Sequence, residues 1–551
     1  MKRKVLLSLL ISLLLLALCS CSSEKSTMDS IADVNSVIND FVWSKIGLFM
    51  LLGTGLLTTI ITKVFQVTHV GHWWKKTIGS MFSKNVSGHV DDKGTISQFQ
   101  ALCTALAATI GVGNIAGVAA AIVTGGPGAV FWMWIAAFLG MMTNYSENVL
   151  GIFYRRKNNE GEWSGGSMYF LRDGLGKKKG FKVIGNVLAV LFSCFAILAS
   201  FGIGNMGQVN KIIINFESAF PIDALSNTAV MGTNLYNVIL GGLIMIFVGI
   251  IVLGGIKRIA NFAEKIVPFM VCAFVLGSII IIGKNYASIG SAFGAIFSSA
   301  FSGNAVWGGV GGYTLAQVIT QGCKRGVFSN EAGLGSSVMV HSNSNVKEPV
   351  VQGMWGIFEV FADTMVVCTM TALVILTSGV IDLKTGTLIN GATGDATLVA
   401  KAFDSVFSIG GINFGSMFIA IAIFLFAFTT VLGWSHYGTK AWEFLFGTKS
   451  TVIYKTVFVL MIMSGAVMTS SLAWDISDTF NGLMMIPNLI GVVALSGLVI
   501  KITKNYVDRK IRNKADIKPM LSFDADTQRE QEALMLAEEQ EEVAEKAEVT
   551  A

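Results

Sequence analysis

Charge is scarce in this sequence. Asp, Glu, Lys and Arg make up 14% of its 551 residues, against about 25% in an ordinary soluble domain, and mean hydropathy is +0.64. A soluble globular fold is excluded, and a net charge of only +5 gives no footprint for a nucleic-acid partner. Proline is rarer still, six in the whole chain, which argues against long structured loops. Of seven cysteines, Cys103, Cys194, Cys272, Cys323 and Cys368 sit in or beside apolar runs at irregular spacing, as small buried hydrophobes and not as a disulfide or metal framework. His69-Val-Gly-His72-Trp-Trp74 lacks further metal ligands and reads as interfacial anchoring. There is no Walker A lysine motif and no cluster of nucleophile, base and metal ligand, so neither an enzyme nor an organic cofactor is expected. Glycine is what abounds, 60 residues gathered inside the apolar runs.

Those runs define the expected architecture, an all-α polytopic membrane protein. Stretches long enough to span lie near 45–66, 97–123, 128–152, 184–214, 234–255, 262–283, 303–322, 350–379, 410–438, 453–473 and 479–500, about eleven transmembrane helices. Ahead of them, Met1–Ser23 has a basic start and the apolar core Val5–Leu18, a signal-peptide pattern too short for comfortable spanning. Leu18-Cys-Ser-Cys21 resembles a bacterial lipobox in which Cys21 is acylated, with an uncleaved short anchor as the alternative. Residues 24–44 then form a polar external lead-in, 45–505 the transmembrane domain, and 506–551 a charged tail whose helical cast is compatible with simple solvation. The basic connections 67–96, 153–183, 256–261, 323–349, 439–455 and 501–518 alternate with neutral or acidic ones. Basic connections face the cytoplasm. The N-terminus is therefore expected outside and the C-terminus inside, in a bacterial inner membrane.

The stretch Ala105–Gly128 organises the chain. It is apolar, yet Gly111, Gly113, Asn114 and Gly117 interrupt its middle. Irregular backbone at membrane depth is tolerated where it is buried in protein or lines a cavity. A helix broken around a polar ligand is one reading, and close small-residue packing is the other. If 45–66 is one extra N-terminal helix, ten remain, five over 97–283 and five over 303–500. The first helix of the second five carries Trp307-Gly-Gly-Val-Gly-Gly-Tyr313, including Gly311 and Gly312. Interrupted helices at matching places in two halves point to a transporter site between 5+5 inverted repeats.

Broken helices offer N–H groups to a carboxylate and freed carbonyls to a small cation. The residues at the breaks are small and neutral, which suits a short zwitterion and supplies no counter-charge for a basic or acidic side chain. Thr429 and Thr430, with Gly111, are candidates to complete a sodium site, although threonines in membrane helices also bond their own backbone. Trp434, in the same helix, joins the candidate substrate contacts. Asn205 and Gln208, three apart in 184–214, either line the cavity or bond across helices. Glu359 and Asp363 share a face at i, i+4 and serve a proton relay, a cation site or a structural bond. Glu147, Glu264 and Glu331, nearer the loops, read as locks or gates. Sodium coupling needs only neutral oxygens, whereas proton coupling needs one of the two acids.

Gly111–Trp134, Arg325-Gly-Val-Phe-Ser-Asn-Glu-Ala-Gly-Leu-Gly-Ser336, Ser164-Gly-Gly-Ser-Met-Tyr-Phe170, Gln208-Val-Asn210, Asp363-Thr-Met-Val-Val-Cys-Thr369 and Leu432-Gly-Trp-Ser435 together resemble the alanine/glycine:cation symporter family. The resemblance runs from about 45 to 505, with His436 standing where an aromatic is expected and Ser167 where proline is. It implies the amino-acid/cation symport (LeuT-like) fold and sodium-driven uptake of alanine or glycine. Some members take glutamine or another neutral amino acid. A passive channel is the competing class.

Overall fold

The computed structural model describes residues 25–83, 86, 88, 94–230, 233–301, 314–383, 387–389, 394–468 and 471–550. The leader with Cys21, and the segment Trp307–Tyr313 with Gly311 and Gly312, lie outside the described residues. The principal helices are α1 (Lys25–Asp40), α2 (Gly47–Ile61), α3 (Gln98–Thr109), α4 (Val118–Gly125), α5 (Gly128–Phe153), α6 (Lys182–Phe201), α7 (Gly207–Ala219) and α8 (Leu235–Val252). They continue with α9 (Gly255–Lys284), α10 (Leu315–Asn330), α11 (Pro349–Val360), α12 (Thr369–Thr377), α13 (Phe414–Phe446), α14 (Thr451–Val467), α15 (Ser471–Lys510) and α16 (Ala525–Thr550). Three antiparallel ribbons of two-residue strands clip connections at 156–164, 229–234 and 408–413, the first pairing Arg156 with Ser164.

Among the described residues eight helical stretches are long and apolar enough to cross a membrane, or nine when α3 and α4, bent by 54°, count as one span. Two of the eleven expected runs are not among them. The run 303–322 straddles residues outside the description, and its described part belongs to the 16-residue α10. The run 128–152 is one 26-residue helix, α5, whose second half Thr143-Asn-Tyr-Ser-Glu-Asn148 is polar and wholly buried. Surrounded by protein, it has no need of an apolar surface there.

The expected lead-in 24–44 differs too. It is helical from Lys25, and Ile31–Ile61 is one of the eight apolar stretches. No glycine or proline falls between Lys25 and Ile46 to stop the helix. Its far end is held by α15: the Asn39 amide donates to Asp478 and Thr479, 3.0 Å each, and the Trp43 indole to the Asp478 carbonyl at 3.3 Å. Lys324 of α10 pairs with the same aspartate at 3.0 Å.

The helices sort into two layers. In Lys182–Ala219, Pro349–Thr377 and Phe414–Phe446, 67% of the most apolar window is buried inside the protein. In Leu235–Val252, Gly255–Lys284 and Thr448–Val467 the share is 33%, 28% and 33%, which leaves apolar faces outward for lipid. Association in lipid relies on close contact between small residues. At Gly433 of α13 an added Cβ would fall 2.6 Å from the Cβ of Ala108 in α3. That missing atom sets Thr430, one turn earlier, directly against the end of α3.

Helix starts follow the sequence closely. Ser97 and Gln100 cap α3 reciprocally, and Thr314 and Gln317 do the same for α10. Wide π-turns interrupt the inner helices at Gly113–Gly117, Gly202–Met206 and Phe361–Cys368. Such turns leave backbone groups off the regular ladder and are frequent at functional sites.

Candidate functional site

The α3–α4 break is built from three residues. Ile110 leaves the helix in an extended conformation at ψ 90°. Gly111 follows, and its N–H donates to the Asn114 side-chain oxygen at 2.9 Å. An alanine at Gly111 would place its Cβ 2.6 Å from the Thr430 hydroxyl, so only hydrogen fits. The next amide, Val112 N–H, points at Gln208 Oε1 at 3.5 Å.

Four other helical segments close on this break. Asn114 Nδ2 donates to Asp363 Oδ1 at 2.6 Å, and the Thr371 hydroxyl donates to the Asn114 carbonyl at 2.8 Å. Asp363 Oδ2 accepts from Ser329 and Thr364, both at 2.8 Å. Three donors thus satisfy this buried carboxylate, and hydrogen bonds to a charged group contribute about 1.5–3 kcal/mol each. Asn330 reinforces the set by donating to Thr364 at 3.0 Å. On the opposite side Thr430 Oγ1 lies 3.1 Å from the Ala107 carbonyl and 2.9 Å from the Phe426 carbonyl. These are neutral, hard oxygens from two helices, the donor chemistry that suits an alkali cation.

The structure therefore brings Gly111, Asn114, Gln208, Thr430 and Asp363 together. Gly113 packs near Phe328, its added Cβ 3.2 Å from that ring, while Gly117 has open space beside it. Thr429 is one residue from Thr430 but turns away. Its hydroxyl bonds the Leu425 and Phe426 carbonyls of its own helix and meets the Met270 sulfur at 3.7 Å. Asn205 and Gln208 diverge as well, because Asn205 sits within the π-turn 202–206 and Gln208 in the regular helix that follows it. Asn205 donates to the Phe458 carbonyl at 2.6 Å, away from the break. Trp434 lies over Gly204 and 5.4 Å from Tyr437 in an edge-on contact.

Ser329, Thr364, Cys368 and Thr371 complete the cluster without having been singled out as site residues. Ser329 carries a signal, since it opens the Ser-Asn-Glu-Ala-Gly-Leu-Gly-Ser run. Thr371 carries none: a threonine in an apolar helix looks the same whether its hydroxyl caps its own turn or another helix. Glu359 and Asp363 have different partners. Glu359 accepts from Asn144 at 3.2 Å and meets His341 Nε2 at 3.0 Å. Among the described residues no group of three or more His, Cys, Asp or Glu side chains is placed to hold a metal ion.

A second buried polar cluster gathers around Asn488. Asn488 of α15 donates to Glu147 and, at 2.8 Å, to the Gly333 carbonyl. Ser167 donates to Asn488 Oδ1 at 2.7 Å and to the Gly335 carbonyl at 3.2 Å. His436 meets Asn343 at 3.0 Å. Asn488→Ala leaves a buried Glu147 oxygen without that donor, a cost of about 1–3 kcal/mol. The expected outcome is a melting point in detergent lower by several degrees, about 2–4 °C per kcal/mol for a large domain. An unchanged melting point would show that the asparagine carries no such load.

A family model described as the sodium:alanine symporter family matches residues 28–520. This chain belongs to that family. The sodium/alanine symporter AgcS of Methanococcus maripaludis is 44% identical over 87% of this chain and 98% of its own length. The probable sodium/glutamine symporter GlnT of Bacillus subtilis is 35% identical over 87% of this chain and 91% of its own. Among solved structures, a Na+-coupled sialic acid symporter aligns with TM-score 0.47 at 13% identity, over 88% of this chain and 93% of that one. As a sodium:alanine symporter family member, the chain is a multi-pass membrane protein of sodium-coupled amino-acid symport. Its buried break and its outer apolar layer are the physical features such a protein requires.

Proposed function

We propose that the protein carries alanine or glycine into the cell with sodium, by alternating access around the α3–α4 break. The observation that carries this reading is the break itself: the Gly111 and Val112 amides, off the helical ladder and met by the side-chain oxygens of Asn114 and Gln208, neutral oxygens around Thr430, and an aspartate already satisfied by three donors. Amides at a helix break suit a substrate carboxylate, and the Gln208 side-chain oxygen meets the Val112 amide there. Thr430, with the Ala107 and Phe426 carbonyls, holds the sodium. Among the described residues no lysine or arginine side chain bonds these groups, which suits a short neutral side chain.

The same proposal includes eleven spans, a 5+5 inverted-repeat core over 97–283 and 303–500, and Gly311 and Gly312 as the counterpart break. Segment 518–538 touches Phe153, Lys157, Lys347 and Asn505, so those basic connections share one end of the bundle. We assign that end to the cytoplasm of a bacterial cell, where Lys and Arg accumulate. The leader ahead of the family match is then exported, with Cys21 acylated.

Glutamine is the second reading, favoured by the GlnT relative. Competition of labelled alanine uptake by the common amino acids in proteoliposomes separates the two. Alanine and glycine are expected to compete best. Inhibition by glutamine alone would transfer the assignment, and strong inhibition by lysine or glutamate with none by alanine would overturn it.

A further inference from the structure

The acidic tail is seated, not free. Leu521 is buried, and Phe523 donates its N–H to the Phe153 carbonyl at 3.0 Å. The Phe523 ring lies 5.1 Å from Tyr154, with the Lys177 ammonium 5.0 Å from its centre. Gln528 accepts from Leu521 and Ser522 N–H, both at 2.8 Å, which fixes the turn into α16. From there α16 crosses the basic end of the bundle: Glu530 pairs with Lys157 at 2.7 Å, and Glu538 pairs with Lys347.

Beside Glu538 is a cavity of about 300 Å³. Lys76, Lys347, Lys510, Gln98, Ser80 and Tyr506 line it, and Met535 and Glu538 of α16 form its outer wall. Its other lining acid, Glu348, is engaged by both terminal nitrogens of Arg509 at 2.7 and 2.8 Å, while Glu538 reaches in to pair with Lys347. Lys76 closes the short helix Val70–Lys76, whose Trp74 is 45% exposed, the pattern of a segment lying at a membrane interface.

We propose that this cavity binds a phosphate-class anion, and that Glu538 occupies it as a tethered substitute while the tail is docked. The non-bridging oxygens of a phosphate form charge-assisted hydrogen bonds with lysines as a carboxylate does, so the two compete for the same site. Basic pockets at helix ends attract anionic lipid headgroups, so the headgroup of an anionic phospholipid is the expected source. Binding and tail docking are then mutually exclusive, and the tail becomes a sensor of that anion.

Native mass spectrometry of the full chain in mixed micelles measures the effect, with phosphatidylglycerol and phosphatidylcholine as probes. Inorganic phosphate is titrated in parallel against melting temperature. Glu538→Gln is expected to raise phosphatidylglycerol retention at least about threefold over phosphatidylcholine, because it removes the competitor. Lys76→Ala with Lys347→Ala is expected to abolish that preference, with wild-type melting temperature in phosphatidylcholine as the check on folding. Stabilisation of Glu538→Gln by inorganic phosphate as well assigns a soluble anion as the source. Equal retention of both lipids by wild type and Glu538→Gln, with no shift from phosphate, overturns the proposal.

Discussion

Asn114→Ala is expected to abolish amino-acid uptake in proteoliposomes while the protein still inserts and purifies. The side chain performs two tasks at once. Its oxygen receives the Gly111 amide at the break, and its nitrogen reaches Asp363 across to the π-turn 361–368. Alanine deletes both bonds and leaves two buried groups without those partners, at about 1–3 kcal/mol for each. Since about 1.4 kcal/mol is tenfold in affinity, the expected loss is at least about tenfold in substrate binding. Asn114→Asp preserves the acceptor but faces the Asp363 carboxylate with a second one, and is expected to be as damaging. Uptake within twofold of wild type in Asn114→Ala would remove the break from the mechanism.

Thr430→Ala is expected to raise the sodium concentration for half-maximal uptake by at least about tenfold, a change of about 1.4 kcal/mol. Alanine binding at saturating sodium should change far less. The threonine hydroxyl bridges carbonyls of α3 and α13, whereas its neighbour's bonds carbonyls of α13 alone. Thr429→Val therefore serves as the matched control and should shift sodium dependence little. Asp363→Asn should keep the sodium requirement, although it weakens the lock on Asn114. Full uptake in sodium-free buffer, driven by an inward proton gradient and lost in Asp363→Asn, would overturn sodium coupling in favour of protons.

Some of this site was legible from the chain alone, and the reason is local. Gly111, Asn114 and their spacing announce a break because glycine and a buried amide are costly in an apolar helix. What the sequence could not convey was direction. Thr429 and Thr430 are chemically identical, and only the approach of α3 at Gly433 decides which hydroxyl crosses between helices. The i, i+3 rule placed Asn205 with Gln208, but a π-turn shifts the phase of everything after it. Helix α5 escaped a hydropathy criterion for the opposite reason, since a buried helix inside a membrane protein answers to its protein neighbours and not to lipid.

That same helix has a consequence for how the protein is made. The polar half of α5 leaves the ribosome long before its partners do: Glu359 lies 215 residues after Asn144, and Asn488 lies 341 residues after Glu147. At about 5–20 residues per second, the longer interval is roughly 17–70 s. During that wait a glutamate and two asparagines have no finished protein around them, and unpaired polar groups in an apolar surrounding are costly. The polar half of the nascent α5 therefore needs shelter, from the insertion machinery or from neighbouring helices, until α15 arrives. The packing around α5 is thus completed by α15, which closes on a carboxylate delivered more than three hundred residues earlier.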